Sequence, residues 1–262
     1  MILIDKLCYH SKLRYVNAEE KFAFAMLTLF ACILSKSPAI TLPVLVLTGF
    51  LTIQKGGVPF LTYIKLMTVP AVFLLLSTLA VFINISKTPL DGFAFAAGSY
   101  YITGSIRGIR QGIRLIFTAL SSVSCLYFLS LSTPVTDILN TLKKLHFPAL
   151  ILELMLLIYR FIFVMLHLAS DITVSLHSRL GNHSPAAAGK SFVFMAGSVF
   201  ILSVRRSSAL YDALEARCYD GTLRILSETL PAKRIEILSI AVFEIFLYLA
   251  AAALKMSGGI EL

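Results

Sequence analysis

The sequence predicts an all-α integral membrane protein, with about five transmembrane helices (four to six) and long helices held on the cytoplasmic face. Three observations predict it. Hydrophobic residues make up 58% of the 262 and charged residues only 14%, too little charge to coat a soluble domain of this length. Apolar runs approaching the ~20 residues that cross a bilayer recur along the chain. The middle third instead holds two helical stretches of roughly 30 residues in which charges interrupt the apolar pattern.

The chain opens on "MILIDKLCYHSKLRY", which mixes charge with short apolar runs and lacks a cleavable signal pattern. Apolar runs then fall at about 21–34, 39–53, 66–85, 113–131 and 235–254. The first two are short, and the turn "SKSPA" at Pro38 joins them as a tight helical hairpin. Between the third and fourth runs, "NISKTPLDGFAFAAGSYYITGSIRGIRQG" carries glycines, Pro89 and an alternating "SYYIT". Such a stretch reads as an ordered loop or small hairpin. Simple alternation of spans puts its basic residues outside, so either the loop packs on the protein and escapes the positive-inside rule or the span count is off by one.

The net charge of +9 comes from lysines and arginines gathered at segment ends, such as Lys143, Lys144, Arg205, Arg206, Lys233 and Arg234. That is how a membrane protein marks its cytoplasmic face. No basic patch lies among aromatics, so the charge does not indicate nucleic acid. The four cysteines, Cys8, Cys32, Cys125 and Cys218, form neither CxxC nor zinc spacing. Cys8 with His10 supplies two soft ligands, too few for a metal site. There is no GxxxxGK[ST] loop, nucleophile elbow or zincin motif. The expectation is a non-catalytic protein without cofactor or metal.

Residues 133–222 decide the architecture. "STPVTDILNTLKKLHFP" begins a short helix, with Thr133 as N-cap and Pro134 at the first helical position. Val135, Ile138, Leu139, Leu142 and Leu145 form one apolar stripe opposite Asp137, Asn140, Thr141, Lys143 and Lys144. This segment is too short and too polar to span, and should lie on the membrane surface or on partner helices. In the next stretch, "PALILELMLLIYRFIFVMLHLASDITVSLHSRLG", Glu153, Arg160 and His167 recur every seven residues and Asp171 extends the stripe. The stripe reads as a structural one whose polar groups face protein, because charge in lipid is costly. After "GNHSPAAAG" a second long helix is expected over about 187–218, apolar first and polar later, with Gly221 as its stop. The organisation expected is therefore N-terminal membrane helices over 1–132, cytoplasmic helices over 133–222, and a C-terminal transmembrane helix over 223–262.

If both long segments crossed the membrane, Arg179 and Arg217 would face opposite sides. If both lie along the cytoplasmic face, the two arginines share one side, separated by a helix of ~45 Å at 1.5 Å per residue. Two arginine tips that far apart suit two binding sites on two subunits.

On these residues the chain resembles the transmembrane T component of energy-coupling factor transporters, and within it the cobalt-type CbiQ family. The resemblance runs through "IDKLCYHSKLRYVNAEEKFAFAMLTL", "YITGSIRGIRQGIRLIFTALSSVSCLYFLSLSTP" and "LILELMLLIYRFIFVMLH". Its most specific parts are "HSRLG", with Ser178, Arg179 and Gly181, and "EARCYDG", with Ala216, Arg217 and Gly221. The resemblance implies that these six residues form the tips of coupling helices inserted into grooves of two ABC ATPase subunits. It implies a separate membrane protein that captures substrate, with cobalt ions as cargo and nickel or a vitamin as the alternatives, and a link to cobalamin biosynthesis. It also implies a multi-pass protein of the cell membrane, N-terminus and coupling helices inside, with ATP hydrolysed by partner subunits. Family motifs often read Ala-Arg-Gly, whereas here Leu180 follows Arg179 and Cys218 follows Arg217.

The residue types fit that task independently. Arginine is always charged and offers a rigid fork of donors to an acidic or carbonyl-lined groove. Near a helix C-terminus it also suits the helix dipole, which is the ordinary role of a single terminal arginine. Ala209, Ala213 and Ala216 keep one side of the last turns slim for a closely approaching helix. A self-contained secondary transporter would show broken helices or an inverted repeat around a midplane site, and no repeat is found. An integral-membrane enzyme would need a catalytic constellation that is missing.

Overall fold

The computed structural model describes residues 3–35, 37–82, 84–86, 93–97, 100–104, 106–219 and 234–256. In chain order it contains α1 (Leu3–His10), a 3₁₀ turn (Lys12–Tyr15), α2 (Ala18–Ser35), α3 (Pro38–Phe50) and a π turn (Leu51–Lys55). There follow α4 (Phe60–Phe82), β1 (Asn84–Ser86), β2 (Phe93–Ala97), β3 (Tyr100–Gly104) and α5 (Ile106–Ser132). The chain continues through α6 (Val135–Lys144), α7 (Ala149–Ser178), α8 (Pro185–Glu215) and α9 (Arg234–Met256). The fold is thus all-α apart from one small sheet, as the composition and apolar runs predict.

The sheet fills the stretch expected as a loop or hairpin. Its strand order is β1-β3-β2, all antiparallel, with Ile102 opposite Ile85 on one side and Phe95 on the other. Two boundaries differ from expectation. α5 begins at Ile106 rather than near 113, because Arg107, Arg110 and Arg114 fall at helical spacing and a membrane helix can carry cations at its end. α4 begins at Phe60 rather than near 66; Lys65 interrupts the apolar run without interrupting the helix.

Six helical stretches among the described residues are long and apolar enough to cross a membrane: 38–55, 60–79, 108–132, 149–178, 185–215 and 234–253. The number lies within four to six. Its membership differs from the five apolar runs. α2 drops out because Glu19, Glu20 and Lys21 shorten its apolar stretch, while α7 and α8 come in.

The chain divides into two compact units, one of Ile2–Ile138 with Glu228–Leu262 and one of Leu139–Ser227. In the first, α5 is the central element, packed against α1, α2, α3 and α4, with α9 on α2. Phe24 and Phe128 meet edge to face at 5.4 Å between ring centroids. Lipid offers no hydrophobic incentive for helices to associate, so hydroxyls and small residues hold the interfaces. Ser124 on α5 bonds Thr48 of α3 at 2.6 Å and Tyr63 of α4 at 2.8 Å. One turn earlier, the Ser121 hydroxyl donates to the Thr41 carbonyl. Each such bond contributes roughly 0.6 kcal/mol in a membrane bundle.

At the N-terminal end of this unit, Lys21 is buried, and its amine donates to the carbonyls of Leu13 at 2.9 Å and Ser132 at 3.0 Å. It ties the 3₁₀ turn to the last residue of α5. Cys8 is also buried, and burial pushes its thiol up from 9.0 to about 12. In α9, Glu244 is 5% exposed, and neither carboxylate oxygen has a hydrogen-bond partner among the described residues.

Candidate functional site

The second unit holds both arginine motifs, and its local geometry explains how they are presented. α7 ends at Arg179 as its C-cap. The Leu180 N–H donates to the His177 carbonyl at 3.1 Å, and the Gly181 N–H to the Leu176 carbonyl at 2.9 Å. That pair of bonds is the Schellman stop, which requires its first residue past the cap to be left-handed. Leu180 takes that role, with φ of 58°.

α8 stops in the same way. The Cys218 N–H donates to the Glu215 carbonyl at 2.9 Å, the Tyr219 N–H to the Leu214 carbonyl at 3.1 Å, and Cys218 has φ of 56°. α6 ends likewise, with His146 at φ 61° and the Phe147 N–H on the Leu142 carbonyl at 3.3 Å. In this alignment Arg179, Arg217 and Leu145 occupy one equivalent position. The two arginines therefore leave their helices with matching backbones. Left-handed backbone costs a residue with a side chain about 1 kcal/mol relative to glycine.

The displaced glycine at the first tip is required for space, not for torsion. A Cβ on Gly181 would lie 2.6 Å from the Ser191 hydroxyl and 2.8 Å from the Leu176 carbonyl oxygen. The gap is closed by Ser191, whose hydroxyl donates to the Gly181 carbonyl at 2.9 Å. α8 starts on Ser184, whose hydroxyl accepts from the Ala187 N–H at 3.2 Å, with Pro185 following. The helix thus begins slightly earlier than expected, because "PAAA" is a first helical turn after an N-cap and not part of the break. His177 and His183 hold the turn: His177 Nε2 lies 3.0 Å from the Asn182 amide, and His183 Nδ1 bonds the Leu180 carbonyl at 2.8 Å.

Ser178, Arg179 and Leu180 are exposed, as are Ala216, Arg217 and Cys218. The Ser178 hydroxyl bonds back to the Val174 carbonyl at 3.0 Å. Ala209, Ala213 and Ala216 are exposed together. Gly221, expected to stop the second helix, lies outside the described residues; α8 ends at Glu215 and its left-handed residue is Cys218.

Glu153, Arg160 and His167 keep close to one face of α7 at their seven-residue spacing but differ in exposure. Glu153 is half-buried and accepts a 2.6 Å hydrogen bond from the Tyr219 hydroxyl, whereas Arg160, His167 and Asp171 are exposed. The Tyr219 bond brings the end of α8 to the start of α7, so the two helices form a closed antiparallel pair. About 26 residues of α7 then separate the two tips, on the order of 40 Å.

The sequence marks Leu180 and Cys218 only as departures from a motif, because a left-handed non-glycine residue carries no sequence signal. It gives no sign of the Tyr219 contact, since the partner lies 66 residues away. The pair also displays a wide apolar surface, including Ile158, Val174, Phe192, Val193, Phe194 and Phe200, each at least 58% exposed. Soluble surfaces rarely leave so much hydrocarbon uncovered.

The CbiQ family of cobalt transport proteins matches residues 10–227. An uncharacterised protein of Methanocaldococcus jannaschii is 30% identical over 97% of this chain and 94% of its own length. A putative fused cobalt transport protein CbiMQ of Methanocorpusculum labreanum is 26% identical over 95% of this chain, which spans 41% of that longer protein. The cobalt transport protein CbiQ of Salmonella typhimurium is 23% identical over 85% of this chain and 99% of its own.

Proposed function

The chain belongs to the CbiQ family of cobalt transport proteins, and from that premise we propose that it is the energy-coupling membrane subunit of an ATP-driven importer. It is a multi-pass membrane protein of a transport family; the finer assignment rests on the arginine tips. The observation that carries it is the repetition of one helix ending at two distant arginines, each exposed and each preceded by about 30 helical residues. A single docking site needs one such tip. Two on a closed helical pair suit two ABC ATPase subunits, each receiving one guanidinium in an acidic or carbonyl-lined groove.

In this reading α7 and α8 are coupling helices on the cytoplasmic side, and residues 133–222 form the coupling region between membrane helices over 1–132 and 223–262. Their apolar surface is covered by the bilayer and by a separate substrate-capture membrane protein. Support for such a partner comes from the fused relative, more than half of which lies beyond the part that this chain spans. Closure of the ATPases draws the tips together or apart, and the helices pass that movement to the capture subunit. ATP is hydrolysed by the partners. Cobalt ions are the cargo proposed, on the family's description.

Length and composition also allow α7 and α8 to cross the bilayer, and labelling separates the two arrangements. With Cys218→Ser as background, single cysteines at Ser178 and Tyr219 should react with an impermeant reagent from one side only; reaction from opposite faces restores the spanning arrangement. Replacing both arginines, Arg179→Glu with Arg217→Glu, should abolish co-purification with the ABC ATPases, a loss of at least about 100-fold from two interface arginines. A double variant that still co-purifies ends the docking assignment.

A further inference from the structure

Leu180 is a bulky residue in backbone that favours glycine. It is left-handed at φ 58° and 74% exposed. A bulky side chain in that region is an outlier, and with 74% of its surface exposed Leu180 has little packing among the described residues to offset the strain. Strained positions of this kind collect where a protein grips something else.

The turn around Leu180 is built to hold it out. Gly181 closes onto α8 through Ser191, and His183 bonds the carbonyl of Leu180 itself. The backbone is therefore fixed while the isobutyl group stands exposed, one residue after the exposed Arg179. From Ile172 to Tyr211 the sequence contains no aspartate or glutamate, while Arg179 and, in the second turn of α8, Lys190 supply positive charge near the first tip. Within the turn itself, residues 179–184, Leu180 is the sole hydrocarbon side chain, and it follows a cation. At the second tip the equivalent residue is Cys218, much smaller, with Asp212 and Glu215 near Arg217 in sequence.

We infer that Leu180 is a specificity-determining anchor: it seats in an apolar floor of the ATPase groove that receives Arg179, so that the first tip docks through charge and hydrocarbon and the second through charge alone. This rests on the docking function proposed above. The partner surface is then an acidic or carbonyl rim for the guanidinium around a pocket that accepts one branched side chain.

The test uses the full chain in detergent micelles or nanodiscs and the ABC ATPase subunits purified by co-elution with it. Leu180→Gly keeps the left-handed backbone and removes the side chain. It should weaken ATPase binding by about tenfold or more, with a melting temperature equal to or above that of the parent. Leu180→Met and Cys218→Gly should each stay within about threefold, less than a methylene-scale loss would produce. An environment-sensitive fluorophore at position 180, introduced with Cys218→Ser to leave one exposed thiol, should shift to the blue when ATPase is added. Leu180→Gly binding like the parent while Arg179→Glu does not overturns the anchor and leaves the docking function standing. Equal binding by Arg179→Glu with Arg217→Glu overturns both. A blue shift in lipid alone, unchanged by ATPase, assigns Leu180 to the bilayer and also overturns the anchor.

Discussion

Around Arg179 the chain carries no carboxylate, a glycine pressed against α8 and an exposed leucine. Around Arg217 it carries Asp212 and Glu215, a tyrosine bonded back to Glu153 and an exposed cysteine. Yet the two hydrogen bonds that end each helix agree to within 0.2 Å, and both left-handed residues lie within 2° of one another in φ. The backbone fixes how an arginine is presented, and the side chains around it decide what else the tip touches. One geometry has been furnished twice, with different chemistry.

Several substitutions would break or sharpen that contrast. The largest effect should come at the glycine. Gly181→Ala places a methyl against a backbone carbonyl that has nowhere to go, and should cost about 2 kcal/mol as overpacking does. At the equivalent residue, Tyr219→Phe removes the hydroxyl that bonds Glu153 and should cost about 1 kcal/mol. Thermal unfolding of the purified chain measures both, and equal losses would mean that the two turns are supported alike.

A smaller effect, of opposite sign, is expected at the left-handed positions. Leu180→Gly and Cys218→Gly should each stabilise their turns by about 1 kcal/mol, because glycine accepts that backbone without strain. Proteolytic susceptibility after each turn reads the change directly. A stabilised Cys218→Gly beside a destabilised Leu180→Gly would show that the leucine packs within the chain after all.

The smallest effect concerns thiols. Cys218 is exposed, whereas Cys8 is buried with its thiol raised from 9.0 to about 12. Maleimide at neutral pH should modify Cys218 and spare Cys8, as mass spectrometry would report, since the thiolate is the reacting form. A thiol held protonated only in the folded state stabilises fully below pH 9 and less as pH rises from 9 towards about 12. Cys8→Ala should flatten that alkaline decline.

Much of the fold is legible in the sequence because lipid imposes simple lengths. The hairpin at Pro38, the short amphipathic α6 and the break after Arg179 all follow from apolar spacing and from proline or caps. The start of α5 is less legible, since arginines at a helix end resemble a basic loop until the three- and four-residue spacing is noticed. The site is legible as two arginine strings and no further. Nothing in "SRLG" or "ARCYDG" announces that leucine and cysteine will adopt the conformation glycine prefers, because the stop is specified by hydrogen bonds to carbonyls in the preceding turn. The stripe from Glu153 to His167 shows the converse: periodic charges on one helix suggest one environment, but Glu153 is half-buried and bonded to Tyr219 while Arg160 and His167 are exposed.

The closed pair of α7 and α8 turns helix length into angle. With 3.6 residues per turn, each residue added or removed between the two tips swings one arginine by about 100° relative to the other while moving it only ~1.5 Å. A one-residue deletion in the apolar half of α8 would aim Arg217 nearly sideways though every local contact at the tip survived. A seven-residue insertion, close to two whole turns, would restore its bearing and only lengthen the rod by about 10 Å. Phase, more than distance, is what this pair of helices conserves between its ends.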